Sequence, residues 1–213
     1  AGLEGLRKYG AGTSSVRFIC GTFSPHELLE ERISSFLAVE SSYTFVSCWN
    51  ATEALFPTIC EGGDVIVSDE LNHACIIDSM RLTTAIHRGV SKVIYKHSDM
   101  VSLRESLVKA SEKKGDGGAV FVITDGVFSM EGDIALLPEI RSLCDEFGAM
   151  LVVDDSHGTG VMGETGRGTH EHYGMAGSDI DIFTGTLGKA LGGGAGGYVA
   201  GKREAVELIV QRG

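Results

Sequence analysis

The stretch that decides the fold is "AVFVITDGVFSMEGDIALLPEIRSLCDEFGAMLVVDD", residues 119–155. It opens on a short run rich in β-branched residues, "AVFVITDG" (119–126), and closes on a second, "MLVVDD" (150–155). Between them "LPEIRSLCDEFG" (137–148) carries a helical pattern. Strand, helix, strand in that order is a βαβ unit, which implies parallel strands covered by helices.

The same alternation extends outward in both directions. Further candidate strands are "YTFVSC" (43–48), "DVIVSD" (64–69), "SKVIYK" (91–96) and "DIFTGTL" (181–187). Candidate helices are "NATEALFPTIC" (50–60), "HACIIDSMRLTTAI" (73–86) and "DMVSLRESLVKASEKK" (99–114). In the last, Asp99 is placed as an N-cap, with Leu103, Leu107 and Ala110 on one face. The first 40 residues read as an irregular opening followed by a helix from Pro25 to about Leu37. Leu187 is joined to "GGYVAG" (196–201) by too short a link for a crossover helix, which needs about a dozen residues. That last strand therefore runs antiparallel to its predecessor or leaves the sheet, and a helix follows from Lys202. The expected fold is α/β: a three-layer sandwich around a mostly parallel seven-stranded sheet with its last strand antiparallel, one domain over residues 1–213.

Composition narrows the function. A formal net charge of -11 argues against a nucleic-acid surface, while leaving room for a small anion held on backbone amides. No apolar run reaches the ~18 residues of a membrane span. Cys20, Cys48, Cys60, Cys75 and Cys144 are odd in number and widely spaced, with no C-x-x-C, which points to free thiols in a reducing compartment. With no secretory signal in view the expected setting is intracellular, mitochondrial or cytoplasmic. Both termini read as cuts through a longer protein: "AGLEGLRKYGAG" opens on glycine punctuation and "VELIVQRG" stops in mid-helix pattern.

In sheets of this type ligands gather at the carboxyl ends of the strands. The residues there are Cys48, Trp49 and Asn50; Asp69, Asn72 and His73; Asp125, Ser129 and Met130; Asp154, Asp155, Ser156 and His157; Thr186 and Lys189. Two G-x-G-x-x-G matches, at Gly158, Gly160, Gly163 and at Gly192, Gly194, Gly197, lack the helix that a dinucleotide site requires after them. "GTLGKA" fails as a P-loop, no G-x-S-x-G elbow is present, and no second cluster joins "DDSH" to make a metal site.

What is left is one lysine, Lys189, among small residues in "TGTLGKALGGGAGGYVAG" (184–201). An accessible unprotonated lysine attacks carbonyls, and small neighbours let a flat ligand lie close. Pyridoxal 5'-phosphate (PLP) combines an aldehyde with a phosphate, and the other strand ends suit it. Asp154 fits the pyridine nitrogen, His157 the phenolic oxygen, and His73 a stacking position on the ring. The Cys48–Trp49 amides at a helix start, with the Thr186 hydroxyl, fit the phosphate. Adjacent side chains on a strand face opposite ways, so only one of Asp154 and Asp155 can serve. Taken singly, Asp154 also reads as a cap, His157 as a turn residue and His73 as a helix start; together they favour the site.

"SDELNHACIID" (68–78), "TDGVFSMEGDIA" (124–135), "VVDDSHGTGVMGETGRG" (152–168) and "TGTLGKALGGGAGGY" (184–198) resemble the α-oxoamine synthases, PLP enzymes of fold type I. The resemblance runs over nearly the whole chain in order. "YGAGTSSVRFICGT" (9–22) is most similar to the glycine C-acetyltransferase branch rather than to the 5-aminolevulinate or 8-amino-7-oxononanoate synthases. "SCWNATEAL" (47–55) departs from the family, which more often has Asp-Ala-Asn after the aromatic residue. The resemblance implies a fold type I large domain, with the family's N-terminal segment and small C-terminal domain lying outside this chain. It implies Lys189 as covalent anchor and proton carrier, Asp154 and His157 on the ring, His73 stacked on it, Ser129 near the cofactor, and Cys48, Trp49 and Thr186 on the phosphate. It further implies a homodimer that converts glycine and acetyl-CoA into 2-amino-3-oxobutanoate and CoA, or the reverse in threonine breakdown. A sister synthase and a non-catalytic partner subunit are the other readings. On the family pattern, this chain alone is expected to bind cofactor with little turnover.

Overall fold

The computed structural model describes residues 2–192 and 194–213. Seven strands form one sheet: β1 (Ser41–Phe45), β2 (Val65–Asp69), β3 (Ser91–Tyr95), β4 (Val120–Asp125), β5 (Met150–Asp154), β6 (Ile182–Thr186) and β7 (Gly197–Gly201). Their order is β1-β7-β6-β5-β4-β2-β3. β3, β2, β4, β5 and β6 pair in parallel, and β7 is antiparallel to both β6 and β1. The sheet is thus mostly parallel with its last strand reversed, as the short link after Leu187 requires.

The helices are α1 (Gly2–Tyr9), α2 (Ser24–Leu37), α3 (Cys48–Ile59), α4 (Ala74–Ile86), α5 (Met100–Lys113), α6 (Leu137–Phe147), the single turn α7 (Thr169–His172) and α8 (Arg203–Arg212). One face of the sheet packs against α2, α5 and α6 through Leu37, Leu103, Leu107, Leu137 and Ile140. The other packs against α3, α4 and α8 through Leu55, Phe56, Ile76, Met80 and Ile209. β2 and β4 are buried at every residue because helices cover both their faces, whereas the edge strands β1 and β3 alternate. α5 shows how the sequence builds one layer. Asp99 Oδ1 accepts the Val101 and Ser102 N–H groups at 3.0 and 2.9 Å, and Leu103 and Leu107 are fully buried. Each leucine contributes about 2 kcal/mol of apolar burial.

Two regions depart most from the sequence reading. β1 spans 41–45 rather than 43–48, because the Ser47 hydroxyl accepts the Asn50 N–H and starts α3 at Cys48. Val46, which prolongs the apolar run, is 82% exposed. The opening residues also hold α1 and a π-helical turn at Arg17–Gly21, where the sequence reads as irregular.

Candidate functional site

A cavity of about 260 Å³ opens at the carboxyl ends of the strands, on the α3/α4 face of the sheet. Cys48, Trp49, His73, Asp154, His157, Thr186 and Lys189 all line it. Ser129 does not: it sits exposed in the loop after β4, outside this lining. Cys75, Asp125 and Ser156 line the cavity as well, without a role assigned from sequence. Asp125 was signalled by its place at the end of a buried strand, two strand positions beyond Ile123 on the cavity face.

One wall is the start of α3. As at any helix start, the Cys48 and Trp49 N–H groups have no acceptor within the helix and carry the positive end of its dipole. β7 passes so close that a Cβ on Gly197 would collide with the Cys48 backbone nitrogen. Glycine there is what lets strand and helix start meet. Thr186 closes the opposite wall: its Oγ1 donates to the Gly196 carbonyl at 3.3 Å and accepts the Gly188 N–H at 3.2 Å, fixing the first turn of the Lys189 loop.

The floor is Asp154, 4% exposed. Its Oδ1 accepts the Ser156 N–H at 3.0 Å, and its Oδ2 accepts the Cys48 thiol at 3.6 Å. Burial, and then the Asp154 charge, push the Cys48 thiol far up, so Cys48 is a thiol donor and not a nucleophile. Cys75 is pushed up to about 12 for the same two reasons in the same order. Asp155 faces the other side of the sheet. It accepts the Thr169 N–H at 2.8 Å and the Thr169 hydroxyl at 2.6 Å, so it is not available to the cavity.

Over the floor stand the basic groups. Lys189 Nζ lies 2.8 Å from His157 Nε2. Burial, and then the lysine charge, hold His157 below the usual imidazole range, so its neutral ring accepts a hydrogen bond from Lys189 Nζ. His73 caps α4, with Nδ1 accepting the Cys75 N–H at 3.2 Å, and its ring meets the Trp49 ring edge-on at 6.2 Å between centroids. With Nδ1 an acceptor, the neutral His73 ring carries its proton on Nε2.

These groups fit PLP. A buried carboxyl needs a positive partner, and among the described residues no lysine, arginine or histidine forms an ion pair with Asp154. A protonated pyridine nitrogen meets that need, the α3 start suits a phosphate, and Lys189 suits an aldehyde. No group of three or more metal-ligating side chains occurs among the described residues.

An open, mostly parallel sheet with a lysine, two histidines and a buried carboxyl at its carboxyl edge has the architecture of fold type I α/β enzymes. The family model for aminotransferase class I and II matches residues 3–212, and the chain belongs to that family. The chain is 46% identical over 214 residues to the 2-amino-3-ketobutyrate coenzyme A ligase of Salmonella typhimurium, covering 100% of this chain and 51% of that protein. It is equally 46% identical, over 213 residues, to the 8-amino-7-oxononanoate synthase of Thermoanaerobacter pseudethanolicus, covering 100% and 51%. Among solved structures, serine palmitoyltransferase from S. paucimobilis with a bound PLP–myriocin aldimine superposes with a TM-score of 0.86 at 30% identity, over 99% of this chain and 50% of that one. The chain spans about half the length of the curated relatives it matches.

Proposed function

We propose that this chain is the PLP-binding domain of an α-oxoamine synthase that interconverts glycine plus acetyl-CoA and 2-amino-3-oxobutanoate plus CoA, the chemistry of threonine breakdown. The observation that carries the reading is Lys189 Nζ at 2.8 Å from a neutral His157, above a buried Asp154 that forms no ion pair among the described residues. Names of relatives support the acyl transfer: 2-amino-3-ketobutyrate coenzyme A ligase in Salmonella typhimurium and in cattle, where the name adds a mitochondrial location. An intracellular setting, cytoplasmic or mitochondrial, and a homodimeric assembly belong to the same reading.

In this assignment Asp154 pairs with the ring nitrogen, His157 with the phenolic oxygen, and His73 stacks on the ring. The α3 start at Cys48 and Trp49, with Thr186, holds the phosphate, whereas Ser129, exposed in the loop after β4, lies outside the cavity lining. When bound, PLP supplies the electron sink that stabilises a carbanion at the substrate α-carbon. The chain's own share is to hold and move protons. His157 Nε2 accepts a hydrogen bond from Lys189 Nζ and so orients the amine, the group that would serve as nucleophile and as base toward the α-carbon. Asp154 at the floor would hold the protonated ring nitrogen through charge and hydrogen bonding.

Borohydride reduction of the PLP-loaded protein followed by peptide mapping tests the site. A pyridoxyl label on Lys189 is expected; a label elsewhere, or none, overturns it. The second reading is an 8-amino-7-oxononanoate synthase, favoured by the equal 46% identity to the Thermoanaerobacter pseudethanolicus protein. Turnover of glycine, alanine and serine against acetyl-CoA and longer acyl-CoA thioesters separates the two. Glycine with acetyl-CoA is expected to lead by at least about tenfold, a difference of about 1.4 kcal/mol.

A further inference from the structure

Asp125 has no part in the function proposed above, yet it is built into the cavity as firmly as Asp154. It ends β4 as Asp154 ends β5, and the two are register partners on adjacent parallel strands. Both are 4% exposed. Phe121 and Ile123 pack into the same core as Val152, so by alternation Asp125 and Asp154 leave the sheet on the same side, and both line the cavity.

The bonds around Asp125 run in both directions across the gap to α4. Asp125 Oδ2 accepts the His73 backbone N–H at 3.1 Å. In return Asn72 Oδ1 accepts the Asp125 N–H at 2.8 Å, while Asn72 Nδ2 donates to the Ile123 carbonyl and to Ser68 Oγ, each at 2.9 Å. The residue before His73 grips the backbone of β4, and the last residue of β4 grips the backbone of His73. Because the His73 ring is itself held by the Cys75 N–H, its place over the cavity is tied to Asp125 by an unbroken chain of bonds.

Charged and titratable groups face Asp125 from every neighbouring element: Asp69 from β2, Cys48 from α3, His73 and Cys75 from α4, and Asp154, His157 and Lys189 across the cavity. Burial, and then Asp154, push Asp125 up to about 8, against the pull of the His73 N–H and of Lys189. The neighbouring Asp154 charge thus disfavours ionisation of Asp125.

We propose that Asp125 is a positioning residue of the PLP site, holding His73 over the cavity through its backbone N–H. The role toward PLP rests on the function proposed above; the link between Asp125 and His73 does not, and it has its own readout. The chain has a single tryptophan, Trp49, whose ring stands 6.2 Å from His73. Its emission reports the position and charge of that corner without turnover.

The test compares wild type, Asp125→Asn and Asp125→Ala by Trp49 emission against pH and by PLP titration. Asparagine keeps an oxygen for the His73 N–H but cannot ionise; alanine removes both. The expected result is an emission step between about pH 7 and pH 9 in wild type that is missing from both variants. The Cys48 and Cys75 thiols, both pushed up, do not titrate in that window. PLP affinity is expected to stay within about threefold of wild type in Asp125→Asn and to fall at least about tenfold in Asp125→Ala. An unchanged step in Asp125→Asn, or wild-type PLP affinity in Asp125→Ala, overturns the proposal. Should alanine prevent folding, the isosteric asparagine variant decides through the step alone. If wild type takes no label on Lys189, the PLP reading falls, while the emission step still tests the Asp125–His73 link.

Discussion

Asp154 and Asp155 stand side by side at the end of β5, and strand alternation sends their carboxyls to opposite faces of the sheet. On the α3/α4 face Asp154 borders an open cavity, with a thiol and one backbone N–H as its donors. On the other face Asp155 is fully buried, bonded twice to Thr169 and enclosed so tightly that a Cβ on Gly126, Gly158 or Gly168 would strike its carboxyl. The same residue type is left unmatched where the cavity opens and saturated where the fold is locked. What separates site from scaffold here is how many partners the protein itself supplies, not the residue or its burial.

Replacing each carboxyl in turn is the strongest way to break that contrast. Asp154→Asn is expected to lower turnover of the PLP-loaded enzyme by at least about 10³-fold while its melting free energy stays within about 0.5 kcal/mol of wild type. A comparable loss of stability would make Asp154 a structural residue. Gly158→Ala drives a methyl group into the Asp155 carboxyl and the Thr169 hydroxyl, and should cost about 3 kcal/mol or more in thermal or urea unfolding. Asp155→Asn turns an NH₂ toward the Thr169 donors and should cost about 1–3 kcal/mol, with labelling of Lys189 retained.

The smallest effect is one of pH. Burial first, and then the Asp154 charge, raise both Asp125, to about 8, and Asp155, to about 6, although Thr169 donors pull against the rise in Asp155. Between an ordinary carboxyl value near 4 and those values the folded state binds more protons than the unfolded one. Stability therefore falls as pH rises from about 4 to about 8. Asp125→Asn removes the upper part of that fall, so unfolding measured at pH 8 should show a gain of about 1–2 kcal/mol over wild type that vanishes near pH 4. A gain of equal size at both pH values would mean that charge is not the cause.

The βαβ rhythm and the reversed last strand were legible because each strand is a short β-branched run and the link after Leu187 is too short for a helix. The strand order was not, since nothing local in "SSYTF" says that it pairs with residues 197–201. α1 carries Gly2 and Gly5 and buries none of its side chains, so its glycine punctuation masks the short helix. Seven of the proposed site residues meet in one cavity because strand ends and helix starts fix their positions. Ser129 lies in a loop, whose course no periodicity gives, and Asp125 was visible only as one more polar strand end.

β7 lies between β1 and β6, so the last strand in the chain is an interior strand of the sheet. Ser41 must wait for Gly201, and the start of α3 waits for Gly197. As the polypeptide leaves the ribosome, β2 to β6 can assemble in order, but the wall of the cavity at Cys48 stays undocked until residues 197–201 have been made. Completion of the proposed phosphate cradle is thus a late event in the birth of the protein, and a nascent chain ending before Gly197 has Lys189 without the finished pocket around it.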